Sequence, residues 1–232
     1  MQQTVRPSAN LTIIIPVLNE GSVIARLLAS LALFRERDVE VVVVDGGSKD
    51  GTSAGAGSGA DQLIVAHRGR ARQMNAGAVA AHGQVLLFLH ADTRLPTNAD
   101  SLVLNGLAAT GLEWGRFDVR IDGASRWLPF VAWLMNLRSR ATGIATGDQA
   151  MFITRHAFDA LGGFPDQALM EDVELSSRLL RRGRPLCLRP PVVTSGRRWV
   201  SRGIWRTIVL MGWIRLLYFF GVTPDRLARL YR

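Results

Sequence analysis

The chain has 232 residues and a formal net charge of +9, with 48% hydrophobic and 20% charged residues. This composition excludes an intrinsically disordered chain and suits one sizeable α/β domain. The single cysteine, Cys187, excludes an intramolecular disulfide framework and a cysteine-rich zinc site. The basic excess favours an anionic partner, but it does not choose among nucleic acid, an anionic lipid and a phosphorylated substrate.

The first half of the chain alternates short apolar strands with helices. Strands are predicted at 11–16, 39–44, 63–65 and 85–89, and helices after Asn19-Glu20 and over 70–81. Because these strands are uniformly apolar, we expect a mostly parallel sheet that is covered by helices on both faces. A polar segment follows three of the strands and should lie at the carboxyl edge of the sheet, where open parallel sheets bind ligands. These segments are 16–20, 45–48 and 90–92.

The second half has a mixed pattern. Helices are predicted over 102–112, 128–137 and 171–182, a half-exposed strand over 115–121, and a further strand over 149–154. The polar segment 1–10 contains no apolar run, so no signal peptide is expected.

An apolar C-terminal helix is predicted over 203–221, where the only charged residues are Arg206 and Arg215. A membrane-spanning helix would hold Arg215 inside the bilayer at a cost of about 3 kcal/mol, which disfavours a span. Two interpretations remain open. The helix lies in a membrane interface, or it is an ordinary buried helix whose arginines reach the surface.

Five motifs follow one another along the chain, at 12–20, 42–52, 70–77, 88–93 and 162–175. Their order and spacing resemble those of family 2 glycosyltransferases, and His-Ala-Asp-Thr at 90–93 is similar to a small bacterial subgroup of single-domain members. The resemblance implies a Rossmann-like glycosyltransferase-A fold in one domain over 1–232. Within it, 11–95 would form a nucleotide-binding half, 96–190 an acceptor half, and 200–232 a C-terminal helical segment.

The implied reaction is transfer of a sugar from a nucleoside diphosphate sugar to an acceptor hydroxyl, with inversion. The diphosphate leaving group develops negative charge, which Mg²⁺ or Mn²⁺ stabilises through oxygen ligands. Asp92 is the predicted metal ligand. The family pattern has a second carboxylate where this chain has His90, so three roles stay open for His90: metal coordination, phosphate contact or neither. One or two carboxylates and the phosphates are enough for such a metal.

The resemblance also assigns the catalytic and substrate-binding residues. Asp172 matches the base that deprotonates the acceptor, and Glu171 is its neighbour, although both also suit a helix N-terminus. Asp45 would accept hydrogen bonds from the nucleoside, but the second Asp expected there is Gly46. Taken singly, Glu20 and Asp45 equally suit turn capping. The predicted substrate-binding residues are Pro16, Val17, Asn19, Glu20, Asp45, Gly46, Gly47, Ser48, Arg72, Asn75, His90, Ala91, Asp148 and Gln149.

Two other functions stay open. The family pattern has carboxylates at the positions of His90 and Gly46. Their absence here is compatible with a nucleotide-binding module that has lost catalysis. A sugar-phosphate nucleotidyltransferase also uses a parallel sheet and a metal, although 16–20 is not the glycine-rich basic loop of that class. Nucleic acid is not an expected partner, because only charge favours it. The expected partners are a sugar nucleotide, with UDP favoured, and an unknown acceptor, for which a lipid is one candidate. The expected location is the cytoplasm, at the inner face of the cell membrane if the C-terminal helix binds lipid.

Overall fold

The computed structural model describes residues 9–57 and 59–231, so most of the predicted N-terminal lead-in lies outside the described residues. The strands are β1 Leu11–Val17, β2 Glu40–Asp45, β3 Gln62–Val65, β4 Val85–Phe88, β5 Thr93–Arg94, β6 Trp114–Asp122, β7 Phe152–Thr154 and β8 Leu186–Ser195. The helices are α1 Ile24–Ser30, α2 Ala32–Glu36, α3 Thr52–Ala56, α4 Arg70–Ala80, α5 Ala99–Thr110, α6 Leu128–Thr142, α7 Arg155–Ala160, α8 Glu171–Leu179, α9 Arg197–Arg202, α10 Ile204–Phe219 and α11 Pro224–Tyr231. A 3₁₀ turn spans Gly147–Gln149.

The strands form one sheet in the order β3-β2-β1-β4-β7-β6-β8-β5. The first four strands of this order run parallel. Strand β7 is antiparallel to both of its neighbours, β6 and β8 are parallel, and β5 is antiparallel to β8. The prediction of a mostly parallel sheet is therefore confirmed, and β7 and the short β5 are the antiparallel strands among the described residues.

Alternate residues of the central strands supply two separate cores. On one face, Ile13 of β1 belongs to a core that also contains Leu27 of α1 and Val103 of α5. On the other face, Ile14 belongs to a core that also contains Met74 of α4 and Leu175 of α8. Because both faces are covered, every position of these strands favours an apolar residue, which explains their continuous apolar runs.

Helix α4 approaches the sheet closely. A Cβ atom on Gly77 would lie 2.5 Å from Cγ2 of Ile14 and 2.9 Å from Cγ2 of Val44, so only glycine allows this separation. One turn earlier, Nε2 of Gln73 donates hydrogen bonds of 2.8 Å to the carbonyl oxygens of Val17 and Val44. The N-terminus of α4 is thereby fixed over the carboxyl ends of β1 and β2.

Several predicted boundaries or patterns were wrong. Helix α5 spans Ala99–Thr110 instead of 102–112, and α6 continues to Thr142 instead of ending at 137. Three further differences concern the first helix, Gln149 and β6. The first helix begins at Ile24, because the chain makes a turn over 21–23 after Glu20. Gln149 lies in the 3₁₀ turn, and β7 begins only at Phe152. Strand β6 is fully buried through Phe117 and alternates only afterwards, because its first half lies between β7 and β8 inside the sheet.

Strand β8 has no counterpart among the predicted elements. It contains Pro190 and Pro191, which remove two backbone donors and argue against an interior strand. The pairing with β6 shifts register here, from Phe117 opposite Leu188 to Val119 opposite Val192. The prolines thus lie in a bulge, where their missing N–H groups interrupt no regular pairing.

The predicted C-terminal helix corresponds to α10, which α9 and α11 flank. Thr207 and Ile214 of α10 are buried, whereas Trp205, Val209 and Trp213 are more than half exposed. Within the described ranges, no helix has the length and apolar character needed to cross a membrane.

Candidate active site

A cleft opens at the carboxyl ends of β1 and β4. Its main lobe has a volume of about 420 Å³ and is walled by the loop after β1, the N-terminus of α4, the 3₁₀ turn and the N-terminus of α8. A smaller lobe of about 110 Å³ lies beside Asp92 and shares Pro16, Glu20 and His90 with the main lobe. The predicted site residues that line the cleft are Pro16, Val17, Glu20, His90, Ala91, Asp92, Asp148, Glu171 and Asp172.

The 45–48 loop packs behind this cleft. Oδ1 of Asp45 accepts hydrogen bonds from the backbone of Gly47 at 3.1 Å and from the backbone and hydroxyl of Ser48 at 2.9 and 2.6 Å. Its Oδ2 accepts one from the Ser53 hydroxyl. Burial by itself would raise the pKa of Asp45, but these hydrogen bonds outweigh burial and lower the pKa. Asp45 is an ionised anchor for its own loop, and a direct contact with a nucleoside stays a prediction.

Asn19 and Gly46 join this loop to the cleft wall. The backbone N–H of Asn19 donates to Oγ of Ser48 at 2.9 Å, and Oδ1 of Asn19 accepts from the backbone of Lys49 at 3.0 Å. The backbone N–H of Gly46 donates to the carbonyl of Val17 at 2.9 Å. Asn19, Gly46, Gly47 and Ser48 therefore shape the loop after β1 without lining the cleft themselves.

Arg72 and Asn75 lie outside the cleft, although both were predicted to bind substrate. Arg72 is more than half exposed, and its Nε bonds Oδ1 of Asp166 at 2.8 Å. The amide of Asn75 donates to and accepts from the backbone of Phe164, at 2.8 and 2.9 Å. Asn75 thus fastens α4 to the segment before α8.

Arg70 occupies the place in the cleft that the sequence analysis gave to Arg72. Its Nη1 lies 4.0 Å from Oε1 of Glu171 across the cleft. Residues that are two positions apart on an α-helix lie on almost opposite sides of it. The buried residues Ala71, Met74 and Ala78 set the phase of α4, place Arg70 near the covered side and turn Arg72 outward. The spacing of these apolar residues is the local signal that favours Arg70 over Arg72.

The 3₁₀ turn connects two parts of the site. The backbone N–H of Gly147 donates to Oδ2 of Asp172 at 2.7 Å. Oδ1 of Asp148 lies 3.2 Å from Nδ1 of His90, while a Cβ on residue 147 would lie only 2.4 Å from Nε2 of His90. Nδ1 of His90 thus contacts Asp148, while its buried Nε2 faces Gly147 and has no hydrogen-bond partner among the described residues, so the three roles considered for His90 stay open.

Gln149 is fully buried, and its Oε1 accepts from the backbone of Thr146 at 3.2 Å. Its amide stabilises the 3₁₀ turn and does not line the cleft. Met211 and Arg215 of α10 and Tyr231 of α11 do line the cleft, and the sequence analysis missed them as site residues. The apolar pattern of α10 is equally compatible with membrane contact and with packing, and it does not indicate a cleft wall.

The two adjacent carboxylates differ in environment. Glu171 is 4% exposed, and burial, followed by the charge of Asp172, raises its pKa, while Arg70 and His90 partly offset this effect. Asp172 is half-buried and accepts hydrogen bonds from the backbone of Gly147 and Val173, both at 2.7 Å. The oxygens of Asp172 are therefore held in place at the cleft wall.

Asp92 lies in the smaller lobe, where Glu20 and Asp148 are its acidic neighbours. Among the residues that the structure describes, its carboxylate has only a long contact of 3.5 Å from the Thr93 hydroxyl. Across the described part of the chain, no three His, Cys, Asp or Glu side chains could hold a metal together. A metal here would take one carboxylate from Asp92 and need oxygens from its ligand, which fits Mg²⁺ or Mn²⁺ bound to phosphates.

We expect Glu171→Gln to stabilise the chain at neutral pH but not at low pH. Because the folded pKa of Glu171 is raised, its protonation favours folding below the unfolded pKa, and this contribution is lost as pH rises through the folded pKa. Glutamine mimics the protonated form of Glu171. The free energy of unfolding that the variant gains over the wild type should therefore increase by about 1.4 kcal/mol per pH unit, between the pKa of Glu171 in the unfolded chain and its pKa in the folded chain. Urea unfolding at several pH values measures it, with the exposed Glu36→Gln as control. A gain that is independent of pH would contradict the raised pKa.

Comparisons with known proteins identify the family of this chain. The family model described as "Glycosyl transferase family 2" matches residues 12–160, more than half of the chain. A "PGL/p-HBAD biosynthesis glycosyltransferase" from Mycobacterium tuberculosis is 42% identical over 98 residues. The match covers 39% of this chain and 38% of the length of that relative.

Solved structures share the fold. Mannosyltransferase PcManGT from Pyrobaculum calidifontis, in complex with GDP-Man and Mn²⁺, has a TM-score of 0.65 at 24% identity, over 98% of this chain and 69% of that one. Glucosyl-3-phosphoglycerate synthase from Mycobacterium tuberculosis, in complex with Mg²⁺ and UDP, has a TM-score of 0.63 at 17% identity, over 86% and 76%. The predicted glycosyltransferase-A fold is confirmed, and the match over 12–160 shows that the chain belongs to glycosyl transferase family 2.

Proposed function

We propose that this family member transfers a sugar from a nucleoside diphosphate sugar to an acceptor hydroxyl inside the cleft, with inversion. The observation that carries the proposal is one cleft that contains the available carboxylate of Asp92 and, on another wall, the Glu171-Asp172 pair. A transferase needs these two functions within reach of one anomeric carbon. One side neutralises the leaving group, and the other takes the proton of the acceptor.

In this proposal Asp92 binds Mg²⁺ or Mn²⁺ together with the diphosphate of the donor. Bound metal would stabilise the negative charge of the departing diphosphate. Arg70 adds a positive charge to the same cleft. The two solved neighbours are complexes with GDP-Man and Mn²⁺ and with UDP and Mg²⁺, which supports a nucleotide and a divalent metal without choosing the base. We keep UDP as the first nucleotide to test.

Asp172 is the proposed base. Its Oδ2 is fixed by the N–H of Gly147, and its Oδ1 by the N–H of Val173, so the carboxylate has a defined orientation. Each oxygen keeps a second lone pair that can accept the proton of a hydroxyl. The raised pKa of Glu171 lowers the fraction of this neighbour that is ionised, and so reduces its repulsion of Asp172.

The donor proposal predicts metal-dependent nucleotide binding. Isothermal titration calorimetry with UDP, GDP and CDP, each with and without Mn²⁺, should show one nucleotide that binds tightly only with metal. Asp92→Asn should weaken this binding by about tenfold or more, because it removes the charged ligand. Asp122→Asn removes a charge from an exposed residue nearby and should leave binding within about twofold. If no nucleotide binds under any metal condition, the proposal fails.

The base proposal predicts a loss of turnover without a loss of donor binding. Asp172→Asn keeps an acceptor for the N–H of Gly147 but cannot take a proton at neutral pH. The rate of nucleotide release from the preferred sugar nucleotide should fall by about 10²- to 10⁴-fold. Asp159→Asn, at an exposed position of α7, is the control. Wild-type protein that binds nucleotide but shows no turnover with any sugar nucleotide would favour the binding-module alternative.

We also propose that the chain contacts the inner face of the cell membrane. Exposed apolar side chains at α6 and at α10 lie next to each other. The ring centroids of Trp127, directly before α6, and Trp205 of α10 are 5.1 Å apart. We call the whole surface the aromatic face; its members are Trp127, Phe130, Trp133, Leu134, Leu137, Trp205, Val209, Trp213, Leu216, Phe219 and Phe220. Exposed aromatic and aliphatic side chains on neighbouring helices favour contact with a membrane, and Arg126, Arg202 and Arg206 nearby would attract anionic lipid.

Vesicle co-sedimentation tests this contact. The protein should bind vesicles that contain phosphatidylglycerol more strongly than neutral phosphatidylcholine vesicles, and added salt should weaken the binding. The double variant Trp213→Ser/Phe219→Ser should reduce binding about tenfold or more, because it removes two exposed aromatic side chains from the face. Val79→Ser changes an equally exposed apolar residue on α4 and should have no effect. Equal loss in both variants, or no binding by the wild type, would refute the contact.

A further inference from the structure

A second, larger space lies beside the cleft. It is an open cavity of about 750 Å³ between α6, α8 and α10, bordered at one end by residues 221–224. Most of the side chains that line it are apolar or uncharged, and two arginines, Arg138 and Arg215, also line it. Val173 and Arg215 line both spaces, so the cavity adjoins the cleft at the N-terminal turn of α8, where Asp172 lies. We call it the arginine cavity.

The two arginines have buried donors without partners. Nε and Nη2 of Arg138 and Nε of Arg215 are buried, and none has a hydrogen-bond partner among the residues that the structure describes. Nη1 of Arg138 has only a long contact of 3.4 Å to the carbonyl of Ile144. Burial lowers the pKa of Arg138 to about 10 and also lowers that of Arg215, so the charge of Arg138 persists at neutral pH. Buried guanidinium donors are costly unless an anion pairs with them.

Among the described residues, the nearby carboxylates do not hydrogen-bond the three buried guanidinium nitrogens. Glu174 lines the cavity, but Arg178 bonds its Oε1 at 2.9 Å and the hydroxyl of Tyr218 bonds its Oε2 at 3.0 Å. The charge of Asp172 attracts both arginines and that of Asp148 attracts Arg215, but within the described residues neither carboxylate hydrogen-bonds the three buried guanidinium nitrogens. The guanidinium donors are thus left for a ligand.

We propose that the arginine cavity binds the acceptor, and that this acceptor carries a phosphate group on an apolar body. The phosphate would pair with Arg138 and Arg215, and the apolar body would lie against Phe219 and Val222. Phe219 belongs to both the cavity lining and the aromatic face, so an amphiphile in a membrane would have a short route to the base. The proposal rests on the proposed transferase function and adds the chemical class of its acceptor.

The test is calorimetric binding of decyl phosphate, kept below its micelle concentration. Wild-type protein should bind decyl phosphate at least about tenfold more tightly than decyl maltoside, which has the same chain and no charge, and than inorganic phosphate. Arg138→Gln and Arg215→Gln should each weaken the binding of decyl phosphate about tenfold or more. Arg181→Gln, at an exposed position in the turn after α8, should leave it within about twofold.

Nucleotide binding on the same samples separates the two proposals. A thermal unfolding midpoint close to that of the wild type shows that both arginine variants are folded. Intact nucleotide binding is expected only of Arg138→Gln, because Arg215 also lines the cleft. The wild-type comparison of the three probes does not depend on any variant. Equal affinity for decyl phosphate and decyl maltoside, or unchanged binding in both arginine variants, overturns the acceptor site while donor binding still stands. Equal affinity for inorganic phosphate overturns the apolar part of the proposal. Decyl phosphate binding without any nucleotide binding refutes the transferase function, and with it the role of the cavity as an acceptor site.

Discussion

The hydrogen bond from the N–H of Gly147 to Asp172 holds the cleft together. It joins the 3₁₀ turn, which also contacts His90 beside Asp92, to the N-terminus of α8. The close approach depends on glycine, because a side chain at 147 would collide with the ring of His90. Residues from 90–92 and from 171–172, about eighty positions apart in the chain, thereby face one space. The turn therefore helps to set the separation of the proposed leaving-group side from the proposed base side, and such positioning is a large part of what enzymes supply.

The sequence was most informative where one physical requirement dominated. Strands β1, β2 and β4 need apolar residues on both faces, so their continuous apolar segments could be predicted from the sequence. Because the strands are parallel, the prediction that their carboxyl ends share one edge of the sheet followed. Individual contacts were less readable. Asp45 has the residue type of a nucleoside ligand, yet hydrogen bonds within its own loop already use its oxygens. Residue type and spacing do not distinguish these two uses, since both need an ionised carboxylate at a turn.

Long-range pairings account for most of what sequence analysis missed. The contact of His90 with Asp148 and that of Arg70 with Glu171 join residues that share no local pattern. Strand β8 was hidden by its two prolines, which only a bulge accommodates. The helices α10 and α11 cover the cleft with Met211 and Tyr231, and no periodicity within α10 shows what it packs against. Such features depend on the complete fold, whereas the helix phase that favours Arg70 over Arg72 is local.

The distribution of charge gives the two halves of the site different chemistry. The smaller lobe carries acidic groups and suits a cation that bridges to phosphates. The arginine cavity carries cations in apolar surroundings and suits an anion that brings its own apolar body. The Glu171-Asp172 pair lies between these opposite environments, with Arg70 beside Glu171 and the charges of Arg138 and Arg215 acting on Asp172. These two cations are attracted to the carboxylate of Asp172, while burial raises the pKa of Glu171. Two adjacent carboxylates thus have different surroundings, and this difference supports the proposal that they have different roles at the junction of the two spaces.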